Sequence, residues 1–195
     1  MSSEEHKSVR QFSQEEALLS LLYQEDDGLH TGAWARIYKR ELFSKIRYPF
    51  GFYYEDLGTT YRVFFKCKNL VLSDKRMYMY RIRQDSIIRQ DYSPKMMSVV
   101  PVTRQLYHDI AEKYPALEVA AASRAFSANR MVYFSIPYSM REERLKVWEE
   151  MCKYRKAIIL DPKARKRERI AALLTYLGAD LFHVLFSRVY RKQHS

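Results

Sequence analysis

A mixed α/β segment reaching to about residue 90, followed by a mainly α-helical region, is the architecture this sequence predicts. Three observations carry it. "NLVLSD" (Asn69–Asp74) and "RMYMYRI" (Arg76–Ile82) are short β-rich runs separated by a turn at Ser73–Lys75, the pattern of a strand pair. Between residues 55 and 68, Leu57, Tyr61, Phe64 and Phe65 recur at i, i+4, i+7 and i+8, one buried face of a helix. From Ser93 onward the runs are long and helical, with no β-rich interruption.

Taken in order, residues 1–12 are polar and expected to be loose. Ser13 stands three places before Glu16 at the head of "EALLSLL", a capping box that predicts a short helix. "QEDDG" (Gln24–Gly28) breaks that helix as a turn, and "AWARIYKRELF" passes from a short strand or loop into a helical turn. Pro49 and Gly51 keep "RYPFGFYY" out of helix. Farther on, Ser93 with Pro94 opens one helix and "ALEVAAASRAFSANRMVYFS" forms the next. A capping box at Ser139 and Glu142 is expected to open a third, and Asp161 with Pro162 a fourth. The division follows as a loose 1–12, a mixed 13–90 and a helical, basic 91–195.

Composition narrows the function classes. A hydrophobic content of 47% excludes wholesale disorder. Tyrosine is frequent at 16 residues, which suits half-wet surfaces such as sugar sites or bilayer interfaces. Cys67 and Cys152 fit neither metal nor redox spacing, and two lone thiols point to a reducing cytosol. The net charge of +11 is uneven: residues 141–195 hold 14 Lys/Arg against 7 Asp/Glu. A basic tail of that kind seeks an anionic polymer or the negative face of a membrane, or is simply a solvated face. A nucleic-acid partner ranks last, because no helix-turn-helix or RNP signature is present and the aromatics lie away from the basic run.

The chemistry question centres on "GFYYEDLGTTYRVF". Glu55 and Asp56 follow a Pro/Gly-containing aromatic loop and open a helix. Acidic residues there complement the helix dipole, worth roughly 0.3–1 kcal/mol each. A general base at the same place would have rigid support and aromatic shielding. Both readings stand on the sequence alone.

The wider pattern resembles the second half of family 2 glycosyltransferases, the bacterial enzymes that build capsular, exopolysaccharide and lipopolysaccharide chains. It rests on Trp34, Tyr38, Lys39 and Arg40; then Pro49, Gly51, Glu55 and Asp56; then Tyr78, Tyr80, Arg81, Arg83, Ser86 and Ile87, in that order. The resemblance covers residues 13 to about 90 and implies a partial GT-A-like fold with inverting transfer. Asp56 would take the proton of an acceptor hydroxyl while Glu55 supports it. Arg81 and Arg83 would face the leaving nucleoside diphosphate, guanidinium forks suiting phosphate oxygens. Trp34 and Tyr54 would stack on sugar, and Ser86 belongs to the same substrate-binding set. Core packing of the two aromatics and an exposed arginine ladder are the competing fates.

The chain departs from that family in one respect. It contains no D-x-D, the metal motif that ends the family's nucleotide-binding half, and "QEDDG" is its nearest imitation. The expectation is therefore an acceptor-side half that holds no cofactor of its own, with Mn²⁺ or Mg²⁺ entering only with the missing half. Such a piece needs a complementary nucleotide-binding chain or self-association, or serves as a non-catalytic interaction subunit. The expected location is cytoplasmic, with a peripheral station on the inner face of the plasma membrane. Leu181, Val184, Leu185 and Val189 form one stripe of the last helix with Phe182 and Phe186 beside it, suited to a membrane interface or to the core. His183 and His194 lack partners at ligand spacing.

Overall fold

The computed structural model describes residues 9–24, 29–75, 77–81 and 91–191, with side chains to Phe186. The order is β1 (Val9–Ser13), α1 (Gln14–Tyr23), α2 (Glu55–Phe64), β2 (Asn69–Ser73), α3 (Val99–Lys113), α4 (Glu118–Ser135), α5 (Arg141–Leu160), α6 (Lys166–Leu174) and α7 (Ala179–Arg191). The chain is thus mixed α/β and mostly helical, with one two-stranded antiparallel sheet among the described residues.

Helix α1 starts as its sequence demands. Ser13 Oγ accepts the Glu16 amide at 3.3 Å, and Glu16 Oε2 accepts the Ser13 amide at 2.8 Å. Ser13 Oγ also donates to Glu16 Oε2 at 2.7 Å, and that bond first, with the Ser13 amide second, holds the Glu16 carboxyl below its ordinary range. Leu57, Tyr61 and Phe64 of α2 are buried, and Phe65 packs against the core from its edge. Gly58 faces α3, where an added Cβ would lie 3.4 Å from Val102.

The sheet differs from expectation. Asn69–Ser73 pairs with Val9–Ser13, from Val9↔Ser73 to Ser13↔Asn69, so residues 9–12 are not loose. Gln14 explains the register: its Nε2 donates to the carbonyls of Phe64 at 2.8 Å and Cys67 at 2.7 Å, tying the start of α1 to the end of α2. Residues 77–81 form no strand. They keep a period of two, however: Tyr78 and Tyr80 both lie against Trp34, while Met77 and Met79 are exposed.

Helix α4 is the central element. Its alanines at 120, 121, 122, 125 and 128 are buried and let α3 and α5 approach closely. Buried polar groups here are paired only in part, and Asn129 Oδ1 meets no donor among the described residues. Asn129 Nδ2 donates to Thr103 Oγ1 at 2.7 Å and to the Ala125 carbonyl at 2.8 Å. Tyr133, Phe134, Trp148 and Phe182 form an aromatic cluster between α4, α5 and α7, and Tyr133 Oη donates to the Ala179 carbonyl at 3.0 Å. The buried set runs as one core from Phe12 to Phe186, across position 90.

Two expected caps are not used. Helix α5 begins after Met140 with no side-chain cap, so Ser139 and Glu142 form no capping box. Asp161 closes α5 instead of opening α6, which starts at Lys166. Tyr23 Oη donates to Asp161 Oδ2 at 2.7 Å, pinning the end of α1 against the end of α5. Ser93 and Pro94 open a short 3-10 turn, Pro94–Ser98, before α3. The last helix divides its apolar residues: Phe182 and Phe186 enter the core, whereas Leu181, Val184 and Leu185 face outward. Val189 and His194 fall outside the described side chains. Among the described residues no helix is long and apolar enough to cross a membrane.

Candidate functional site around Asp56

Asp56 occupies the first turn of α2 and is half-buried. Its Oδ1 takes the Leu57 amide at 2.6 Å, one of the donors left free at a helix start. Its Oδ2 accepts the Thr31 hydroxyl at 3.3 Å. Thr31 is itself clamped from α2, since Thr60 Oγ1 donates to its carbonyl at 2.5 Å. The single Thr60 proton is thereby used, so Tyr48 Oη donates to Thr60 Oγ1 at 3.2 Å. A carboxylate with one donor on each oxygen keeps lone pairs for a further hydroxyl. Glu55 is half-buried and makes no hydrogen bond among the described residues.

The loop 29–36 that delivers Thr31 is held by Arg36. Its Nε donates to the Gly32 carbonyl at 3.0 Å, its Nη2 to the His30 carbonyl, and its guanidinium lies over the Phe64 ring. Burial pulls Arg36 below its ordinary range, with Tyr38, Tyr48 and Asp56 opposing. Gly32 is required sterically, because a Cβ there would meet Trp34 Nε1 at 2.8 Å and His30 Nδ1 at 2.9 Å. His30 is likewise lowered, by burial first and by the Arg36 charge second, with Asp56 opposing.

Beside this loop lies an aromatic platform. Trp34 stacks on Tyr78 with ring centroids 5.3 Å apart and 20° between planes, and on Tyr80 at 5.0 Å. His30 lies against Trp34 itself, with ring centroids 4.3 Å apart. Trp34, Tyr78 and Tyr80 are 42%, 54% and 48% exposed, an unusual amount of aromatic surface to leave in water. Backbone strain accompanies it. Ala35 (φ 56°) and Tyr54 (φ 62°) both adopt the left-handed region, which costs an ordinary residue roughly 1–2 kcal/mol. Such strain concentrates at functional sites.

The sequence-predicted set therefore separates. Asp56 is bonded by Thr31, three residues before Trp34 on the same loop, and Arg81 is exposed directly after the platform residue Tyr80. Tyr54 packs against the core rather than joining the platform. Arg83, Ser86 and Ile87 lie outside the described residues, as do Glu25–Gly28 of the acidic turn. Thr31, His30 and Arg36 were not singled out from sequence. Tyr78 and Tyr80 had a signal in their i, i+2 spacing, read there as strand.

Among the described residues no group of three or more His, Cys, Asp or Glu could hold a metal ion. Comparison with protein-family models, curated proteins and solved structures finds no match.

Proposed function

We propose that this chain supplies the acceptor side of an inverting glycosyl transfer of the family 2, GT-A type. Asp56 is the base that takes the acceptor hydroxyl proton as its oxygen attacks the anomeric carbon and the nucleoside diphosphate departs. The observation that carries the reading is a half-buried carboxylate bonded by Thr31 of the same loop that presents Trp34 to an exposed aromatic platform. Sugar rings present apolar C–H faces that stack on such rings while their hydroxyls reach a nearby carboxylate. Glu55 stands as its support and Arg81 as a cation for the leaving phosphate. The nucleotide-sugar side, with its D-x-D motif and divalent metal, comes from a complementary chain or a second copy.

The chain by itself is expected to bind acceptor glycans but no nucleotide-sugar. Trp34 and Trp148 are its two tryptophans, and only Trp34 is exposed to this extent, so a glycan on the platform should change the emission of Trp34. Trp34→Ala should abolish the change. In calorimetry, UDP-, GDP- and CDP-sugars with Mn²⁺ or Mg²⁺ should give no micromolar signal. A panel of oligosaccharides that leaves the emission untouched would remove the support for this reading. It would favour a non-catalytic interaction subunit.

An anionic membrane surface is the second partner we propose, favoured by the outward Leu181, Val184 and Leu185 on a helix that follows the basic run Lys163–Arg169. Vesicles containing phosphatidylglycerol should sediment the chain, and Leu181→Glu with Leu185→Glu should weaken this about tenfold without unfolding it. Equal sedimentation of the variant would reduce the effect to bulk charge.

A further inference from the structure

Helix α4 carries an arginine that the fold leaves without an answer. Arg124 makes no hydrogen bond and no ion pair among the described residues, and its Nε is sealed from solvent with no acceptor. The residue as a whole is half-buried, so the guanidinium is not closed off entirely. An arginine has five N–H donors, and a buried donor without an acceptor is costly. Native structures rarely keep one without a reason.

The charged groups around it do not supply that reason. Asp56 of α2, Arg165 and Glu168 of α6 lie within electrostatic range of Arg124. Glu168 is engaged elsewhere: Arg130 Nε reaches its Oε2 at 2.8 Å, while Arg130 Nη2 at 2.8 Å, Arg167 Nε at 3.1 Å and Ser127 Oγ at 3.4 Å reach its Oε1. Asp56 is oriented by Thr31 and Leu57 and forms no bond to Arg124. Arg165 spends its guanidinium on the carbonyl and side chain of Gln24, at the left-handed end of α1. Arg124 is therefore left with no carboxylate bonded to it among the described residues, and the Arg165 charge stands within its electrostatic range. Burial, foremost, pulls Arg124 down to about 10, with Asp56 and Glu168 opposing and Arg165 reinforcing. It still carries its proton at neutral pH.

We propose that Arg124, backed by Arg165, is the binding site for a phosphate-class oxyanion held beside Asp56. Arginine is suited to this because its planar fork meets two phosphate oxygens at once and remains charged even when partly dried. The site brings a residue of the C-terminal helical region into the reaction zone of the mixed segment. It does not depend on the glycosyl-transfer reading, since an anion can bind there whether or not Asp56 removes a proton.

Inorganic pyrophosphate is the probe for the test. Titrated into the wild-type chain, it should raise the midpoint of thermal unfolding and move the Arg124 Nε–Hε resonance in ¹⁵N-resolved spectra. Arg124→Met should lose at least tenfold in affinity while its own unfolding midpoint stays level or rises, because a partnerless buried cation has been removed. Arg124→Lys, which keeps charge but not the fork, should recover only part of the affinity. Should the methionine variant not fold, the wild-type resonance alone decides. UDP and geranyl diphosphate, run in parallel, share the diphosphate and identify whether the nucleoside or the isoprenoid carrier binds more tightly than pyrophosphate. Pyrophosphate binding that is absent, or unchanged in Arg124→Met, overturns the proposal. So does binding that appears only after Asp26 and Asp27 are both changed to Asn, which would assign the arginine to the chain's own acidic run. A failure of glycan binding at Trp34 would leave this result standing, and the reverse also holds.

Discussion

Asp56→Asn is expected to lower sugar transfer about 10²–10⁴-fold when the chain is assayed with a nucleotide-binding partner, with little change in acceptor KM. The substitution keeps size; its one oxygen still takes the Leu57 amide while its NH2 can donate to Thr31 Oγ1, so the loop 29–36 stays in place. What disappears is the ability to take a proton. The competing role is helix-dipole compensation, worth roughly 0.3–1 kcal/mol at this position. The two roles separate cleanly in one experiment. A base gives a large loss of kcat with a small shift in unfolding midpoint. A dipole partner gives the small midpoint shift and activity within a few-fold of wild type, and that outcome would end the catalytic assignment. Glu55→Gln should cost less than tenfold, since Glu55 is bonded to nothing among the described residues.

Glu168→Gln is expected to destabilise the fold by about 3–5 kcal/mol, the usual cost of breaking a buried ion pair from one side. The pair is dry: the side chains of Arg130 and Glu168 are 3% and 2% exposed. Both arginine contacts are 2.8 Å, a fork-on-fork geometry joining α4 to α6. The Arg130 guanidinium also lies over the Phe186 ring at 5.2 Å, so α7 rests on the same charge. Against a total stability of roughly 5–15 kcal/mol, such a loss is severe. Urea unfolding measures it directly. Arg130→Met combined with Glu168→Leu should return most of the stability, because removing both charges leaves neither one unpaired. A single-variant loss under about 1 kcal/mol would mean that water reaches the pair.

How much of this was legible beforehand follows from the range of each signal. The α1 capping box spans three residues and its bonds form locally, so Ser13 and Glu16 announced it. The α2 face was legible because a helix repeats its core contacts every turn. Strand β1 was not, since "VRQFS" buries only Phe12 and owes its pairing to Gln14 grasping α2 far along the chain. The extended run at Met77–Arg81 showed its alternation correctly, but its tyrosines found a tryptophan instead of a neighbouring strand. Asp161 looked like a helix cap because Asp-Pro is a local motif; Tyr23 recruited it from across the molecule. Ser139 and Glu142 had the right spacing, yet the chain entered α5 one residue later.

Residue order alone established a mixed first segment, a helical second one and a carboxylate at the head of α2. These depend on contacts between near neighbours, which spacing records. Tertiary packing decided the rest: which strand β2 pairs with, that Thr31 orients Asp56, that Trp34, Tyr78 and Tyr80 form one surface, and that Arg124 has no partner among the described residues. Each of those joins groups far apart in the chain, and no periodicity carries information about where two distant side chains meet.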